Sequence, residues 1–205
     1  MRRANAQLQS DRRAEILDAA ERCFARSGFH QASMQDICAE AGMSPGNLYR
    51  YFPSKEALIA GISERNRADA VGDFARVSQA ADFFDALAQL ARQYMVERSD
   101  AEVGLCAEIM AESRRNPEIA RIYEAVENDI KSRIAAMLRE AIERGEVRAD
   151  LDVDSAAVAL MVLADGMSWR RAVEPGFDAE RMLPLILQMV NGLLVPQAKS
   201  QETAQ

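Results

Sequence analysis

Apolar residues recur at helical spacing along almost the whole chain, and nowhere do apolar and polar residues alternate for long enough to make a useful strand. That pattern confines the fold to the all-α class before any single motif is considered. The first helix opens near Ser10, with Ile16, Leu17, Ala20 and Phe24 on one face, and Gly28 is predicted to stop it in the left-handed conformation. Further helices are predicted over 55–77, 82–98, 101–115, 117–144, 154–171 and 178–194, with Asn116-Pro117, Gly145 and Glu174-Pro175-Gly176 as punctuation. Pro184 should either kink the last of these or delay its start. The polar tail PQAKSQETAQ is predicted to be disordered, and no internal repeat is present.

Between the first helix and Lys55 lie two much shorter ones. Ser33-Met34-Gln35-Asp36 has the form of a capping box, in which a hydroxyl and a carboxylate satisfy free amides at a helix start. That helix ends near Ala41, Gly42 breaks it, and Ser44-Pro45 begins the next, Ser as cap and Pro where no amide hydrogen is needed. Phe52-Pro53-Ser54 closes the second and caps the long helix at 55–77. Two short helices joined by a glycine-containing turn form a helix-turn-helix, whose second helix can enter the major groove of DNA.

The second short helix is two-faced. Leu48 and Phe52, four apart, share an inward side that Met43 leads into. Gly46, Asn47 and Arg50 point the other way, with Tyr49 and Tyr51 on the flanks. Arg50 has the geometry to pair with the two acceptors of guanine, and Asn47 to reach a base edge or a phosphate. The hydroxyls of Ser33, Ser44, Tyr49 and Tyr51, the Lys55 ammonium, and the free amides near Ser33, Ser44 and Ser54 suit phosphate oxygens, and Pro45 in the first turn is counted with the expected DNA contacts. Gly46 costs a helix up to about 1 kcal/mol against Ala, which close approach of its backbone to DNA would explain. The plainer alternative is an exposed helix with solvated tyrosines and a glycine belonging to the turn.

Charge bears on the same question. The chain carries a formal charge of -7, but residues 1–55 hold eight Lys/Arg against six Asp/Glu and the rest 17 against 26. An acidic body repels polyanions in general, so any nucleic acid must be bound by short-range contacts on the slightly basic front end.

The run AEILDAAERCFARSGFHQASMQDICAEAGMSPGNLYRYFPSKEAL, ending at Leu58, resembles the DNA-binding domain of the TetR family of bacterial repressors. The matching positions are Ala20, Phe24, Gly28-Phe29, the Ser33 cap, Ile37, Ala41-Gly42 and Leu48-Tyr49-x-Tyr51-Phe52-x-x-Lys55. Cys38 stands where the family usually has Ala, and Asn47 and Arg50 fall at variable positions, so no operator sequence carries over. The stretch from Leu105 to Phe177 is similar to C-terminal domains of the BetI-like subgroup. The resemblance implies a helix-turn-helix three-helix DNA-binding domain followed by a C-terminal antiparallel helical bundle. It further implies a homodimer on a palindromic double-stranded operator and a small-molecule effector bound in the body. The expected organisation is a flexible arm at 1–9, the DNA-binding domain at 10–55, a ligand-binding and dimerisation domain at 56–195, and the tail at 196–205.

Residues 156–167 are apolar almost all round and 182–195 nearly so, which predicts burial on more than one side. A twofold partner packed on the helices at 154–171 and 178–194 would supply the second side, as would burial inside a large bundle. Effector contacts are sought among Phe74, Met110, Tyr123, Met161 and Trp169, with Phe74 equally readable as core. Asp165 interrupts an apolar helix one turn before Trp169, and the two could receive a cationic ligand, with Glu108 and Glu112 contributing from another helix. The alternative is that Asp165 pairs with Arg170, Arg171 or another cation.

Other classes find little support. His30 is the only histidine, no glycine loop could cradle a phosphate, and the three cysteines are too scattered for a zinc site or a disulfide framework, so neither an enzyme nor a metalloprotein is expected. Asp150, Asp152 and Asp154 have the opening spacing of an EF-hand, but Ser155 and Met161 stand where Gly and Glu are required. Asp152 or Asp154 is better read as a helix cap. No apolar run approaches the roughly 20 residues of a membrane span, and a reducing cytoplasm is expected. A helical module that binds a protein partner without a specific operator is the remaining alternative.

Overall fold

The structure, a computed structural model, describes residues 2–195; the predicted tail at 196–205 lies outside the described residues. Among the described residues nine α-helices and one π turn succeed each other: α1 (Arg2–Gln31), α2 (Met34–Glu40), α3 (Pro45–Tyr51), α4 (Lys55–Gln79), α5 (Phe83–Arg92) running into the π turn Gln93–Glu97, α6 (Asp100–Ser113), α7 (Pro117–Glu143), α8 (Val153–Val173) and α9 (Ala179–Leu194). No strand occurs among the described residues, so the all-α expectation holds.

Three departures from the sequence reading have local causes. Residues 2–9, expected as an arm, continue α1 backwards, since they contain neither Gly nor Pro and are mostly good helix formers. Gly28 has φ 76° but ψ 162°, an extended conformation open to glycine alone rather than the left-handed stop expected, and one further helical turn follows it to Gln31. Pro184 sits within an uninterrupted α9 on its exposed side.

The chain divides into two compact units, Met1–Ala70 with Arg98–Glu127, and Val71–Glu97 with Asn128–Gln205. In the first, Ile16, Leu17 and Phe24 of α1, Ile37 of α2, Leu48 of α3, Phe52, and Leu58, Ile59 and Ile62 of α4 make one core. Helices α2 and α3 are seven residues each, too short to persist alone, and are held by this burial. Leu48 is fully buried and Phe52 nearly so, each side chain contributing about 1.5–3 kcal/mol of transfer free energy. Leu105 of α6 and Ile119 of α7 join the same core, which is why these later segments belong with the front of the chain.

The second unit has two apolar clusters. The larger joins Phe83 and Leu87 of α5 to Met137 and Leu138 of α7, Ala157 of α8, and Val190 and Leu194 of α9. The smaller joins Met95, Met167, Ala179 and Leu183. A buried carboxylate, Asp73 of α4, accepts hydrogen bonds from Tyr94 Oη at 2.8 Å, Gln93 Nε2 at 2.9 Å and Arg76 at 2.6 Å. Two of those donors come from the π turn, whose wider backbone leaves the Met95 carbonyl to accept from Arg171 at 3.3 Å.

Candidate nucleic-acid interface

Ser33 caps α2 as the sequence predicts: its hydroxyl accepts from the Asp36 amide at 3.1 Å, and the Asp36 carboxylate accepts from the Ser33 amide at 2.9 Å and its hydroxyl at 2.6 Å. Those bonds hold the Asp36 carboxyl below its usual range. Arg22 and Arg26 of α1 grip Glu40 at the far end of α2, at 2.8 and 3.2 Å. The turn through Gly42, at φ 61°, then delivers α3 with Leu48 inward.

The opposite side of α3 is free of commitments. Ser44 precedes the helix without a side-chain cap bond, Pro45 occupies its first turn, and both are exposed. Gly46 is exposed, lies outside the positive-φ region, and a Cβ added there would meet nothing within 4 Å. Nothing inside the chain therefore requires a glycine at that position. Asn47 is half-buried, and Arg50 is exposed with no hydrogen bond or ion pair among the described residues. Tyr49 is 50% exposed, unusual for so large a ring, whereas Tyr51 packs partly against the core.

Three of the nine expected contact residues thus have other employment. The Ser33 hydroxyl is taken by Asp36, the Tyr51 ring leans on the core, and Lys55 is bound within the chain. Its Nζ donates to the carbonyls of Phe29 and, at 3.2 Å, His30, and lies 4.6 Å from the centre of the Phe29 ring. Lys55 therefore caps the end of α1. Ser44, Pro45, Gly46, Asn47, Tyr49 and Arg50 remain as one contiguous outward patch.

The sequence carries no direct signal for the cluster at the end of α1. Glu108 of α6 accepts from the Phe29 amide, immediately after the glycine-only break, and a Cβ on Gly28 would come within 2.8 Å of its carboxylate. One turn further along α6, buried Glu112 places Oε2 2.7 Å from His30 Nε2 and 3.4 Å from Arg115. These groups line an open pocket of about 260 Å³ with Ser27, Gln31 and Ala111. The i, i+4 spacing of the two glutamates was legible; their target was not.

The eight residues sought as effector contacts divide between the units. Glu108, Met110, Glu112 and Tyr123 belong to the first, and Phe74, Met161, Asp165 and Trp169 to the second. Phe74 and Met161 are partly buried against the larger apolar cluster. Trp169 is exposed on α8 and Asp165, one turn before it, is half-buried, both on the side away from buried Met167. Asp165 has no cation partner among the described residues: Arg170 pairs with Glu174 at 3.3 Å, Arg171 donates to the Met95 carbonyl, and burial alone pushes the Asp165 carboxyl above its usual range. Of the EF-hand-like acids, Asp152 caps α8 through the Ser155 amide, Asp150 pairs with Arg148 at 2.7 Å and Asp154 with Arg139 at 3.2 Å. No helix among the described residues is long and apolar enough to cross a membrane.

Residues 16–62 match the model of bacterial regulatory proteins of the tetR family, and residues 84–195 match that of the BetI-type transcriptional repressor C-terminal domain. The chain is 34% identical over 162 residues to the HTH-type transcriptional regulator UidR of Escherichia coli K12, covering 76% of this chain and 79% of that protein. Salmonella enterica GusR superposes with a TM-score of 0.78 at 34% identity, covering 90% of this chain and 95% of that one. A transcriptional regulator from Saccharomonospora viridis, solved in complex with choline, superposes at 0.76 with 26% identity, covering 92% and 100%.

Proposed function

Because the chain belongs to the TetR family of bacterial transcriptional regulators, we propose that it represses by gripping a palindromic operator as a homodimer and lets go when a small molecule binds its helical body. The observation that carries the reading is the outward patch on α3, where Arg50 has no partner among the described residues and a Cβ at Gly46 would meet nothing within 4 Å. Arg50 and Asn47 read base edges, Ser44 and Tyr49 engage phosphates, and Tyr51 and Lys55 act from behind by fixing α3 and the end of α1. Ser33 contributes through the orientation of α2.

The homodimer reading rests on the exposed faces of α8 and α9. Val158, Val162, Trp169 and Val173 fall on one side of α8 at steps of four, seven and four residues, and Leu185 and Met189 lie four apart on α9. A contiguous apolar surface of this kind marks an interaction site, and two identical stripes are self-complementary about a twofold axis. An effector is supported by the choline-bound relative, without fixing the effector of this chain. A regulator of this kind works where bacterial DNA lies, in the cytoplasm.

The reading is tested by fluorescence anisotropy of the whole protein against the DNA flanking its own gene, at two salt concentrations, with a scrambled duplex as control. Tight, salt-sensitive binding confined to the native flank supports it. Equal affinity for the scrambled duplex at both concentrations refutes a specific operator in that flank.

A further inference from the structure

The ionic partners on α8 and α9 leave one acid and one base over. On α8, Asp154 pairs with Arg139, Arg170 with Glu174, and Arg171 with the Met95 carbonyl. On α9, Glu180 takes a bidentate pair with Arg92 at 2.7 Å. Asp165 and Arg181 alone among the charged residues of these two helices have no side-chain hydrogen bond or ion pair among the described residues. Neither is explained by the fold of a single copy.

Their positions bear on the same surface. Asp165 falls three residues after Val162 and four before Trp169, in the middle of the exposed apolar stripe of α8. Arg181 lies one turn before Leu185 and two before Met189, on the exposed side of α9. Between them Pro184, Gln188 and Gly192 complete that α9 face, which carries no other charge. If a second copy covers these faces, Asp165 is taken out of water among valines and a tryptophan, and a lone buried carboxylate is strongly unfavourable. Val158, Val162 and Trp169 would be better covered by almost any apolar residue than by a face presenting an acid, so the acid needs a cation from outside its own chain.

We propose that Asp165 of one copy forms an ion pair with Arg181 of a second copy, the pair occurring twice about the twofold axis and selecting this chain as its own partner. The proposal rests on the homodimer reading above and adds the residues that fix its register. An isologous interface requires this reciprocity, because whatever residue meets Asp165 on one side is met by Asp165 on the other. A charge pair amid apolar stripes adds specificity more than affinity: it penalises sliding of α8 along α9, and it penalises pairing with a related chain whose stripe lacks the complement.

The test is a charge-exchange cycle on the full-length protein, read as the dimer dissociation constant by sedimentation velocity over a concentration series. The variants are Asp165→Arg, Arg181→Asp and the two together, with helical circular dichroism and melting temperature followed for each. Wild type should dimerise, each single exchange should weaken dimerisation at least tenfold, and the double exchange should return to within about threefold of wild type. The milder Asp165→Asn and Arg181→Gln, which remove each charge and keep a polar side chain, should each weaken the dimer and make it less sensitive to salt. A dimeric wild type whose double exchange is no tighter than the singles overturns the pair while leaving the homodimer standing. A dimer that tightens on Asp165→Asn overturns it too, and indicates that the two carboxylates meet each other. A wild type that stays monomeric at every concentration overturns the homodimer reading itself.

Discussion

Replacing Gly46 by alanine should make the protein more stable and a worse binder of its operator. The magnitude on the stability side follows from the surroundings: a Cβ at this position meets no atom within 4 Å, and the backbone does not have positive φ. Alanine therefore gains the helix propensity that glycine forgoes, about 0.4–1 kcal/mol, with nothing to offset it inside the chain. For a chain of this size that is a rise of about 1–4 °C in melting temperature. On the binding side, the new methyl group stands on the same surface as Ser44, Asn47 and Arg50. If the backbone of α3 lies against DNA, the methyl holds the whole helix off, stretching several contacts at once, and a loss of tenfold or more in operator affinity, about 1.4 kcal/mol, is expected. Thermal melting followed by circular dichroism and anisotropy titration on the native operator measure the two effects on one preparation. A stabilised variant with undiminished operator affinity would refute the close approach and return Gly46 to being a residue of the turn. A destabilised variant would refute the open surroundings on which the stability figure depends.

Arg50→Ala should lower affinity for the native operator by about 1–3 kcal/mol while leaving the scrambled duplex much less affected, since a base contact discriminates and a phosphate contact does not; equal weakening of both, measured by anisotropy, counts against base reading. Gly28→Ala should destabilise by about 1–3 kcal/mol because φ 76° with ψ 162° is closed to alanine, and Glu108→Ala in the same chain should relieve the 2.8 Å approach without restoring the wild-type melting temperature. The Arg148 guanidinium lowers the Asp150 carboxyl to about 2, below the usual value of about 3.9. Unfolding raises that affinity for protons, so the stability contributed is present above the unfolded value and is lost as pH falls from about 4 towards 2. Asp150→Asn should accordingly flatten the melting temperature across that window and nowhere above it.

How much was legible before the structure depends on whether a residue's partner was near it in sequence. The helix limits at 117–144, 154–171 and 178–194 fall within two residues of those observed, because caps and breakers such as Asp152, Gly145 and Asp178 act on their immediate neighbours. The same holds for the Ser33–Asp36 box and for the inward face at Leu48 and Phe52. What stayed hidden is long-range. Lys55 has the composition of a phosphate ligand, and only the fold brings the carbonyls of Phe29 and His30 to its ammonium. Glu112 has the look of a solvated helix acid until His30, 82 residues earlier, is placed beside it. The π turn at Gln93–Glu97 also escaped, because its donors are drawn to Asp73 twenty residues away while its own residues carry an ordinary helical pattern.

The end of α1 is where these hidden partners converge, and that convergence constrains how a signal can reach DNA. The segment Gly28 to His30 is held from two sides: Lys55 at the start of α4 takes the carbonyls of Phe29 and His30, while Glu108 and Glu112 on α6 take the Phe29 amide and the His30 ring. Leu105 of α6 is buried in the same core as Phe24, Leu48 and Phe52. A displacement of α6 relative to α1 would strip the Phe29 amide of its acceptor and leave Glu112, only 6% exposed, beside Arg115 alone. Leaving such groups unpaired in a protein interior costs about 1–3 kcal/mol each. Carrying α1 along with α6 costs none of this. A ligand that shifted α6 would therefore move the base of α1 with it, and since α2 is tied to α1 through Arg22, Arg26 and Glu40, α3 would be carried along with them rather than deformed. On that argument an effector that acted through α6 would alter where α3 sits and leave the chemistry of its outward patch unchanged.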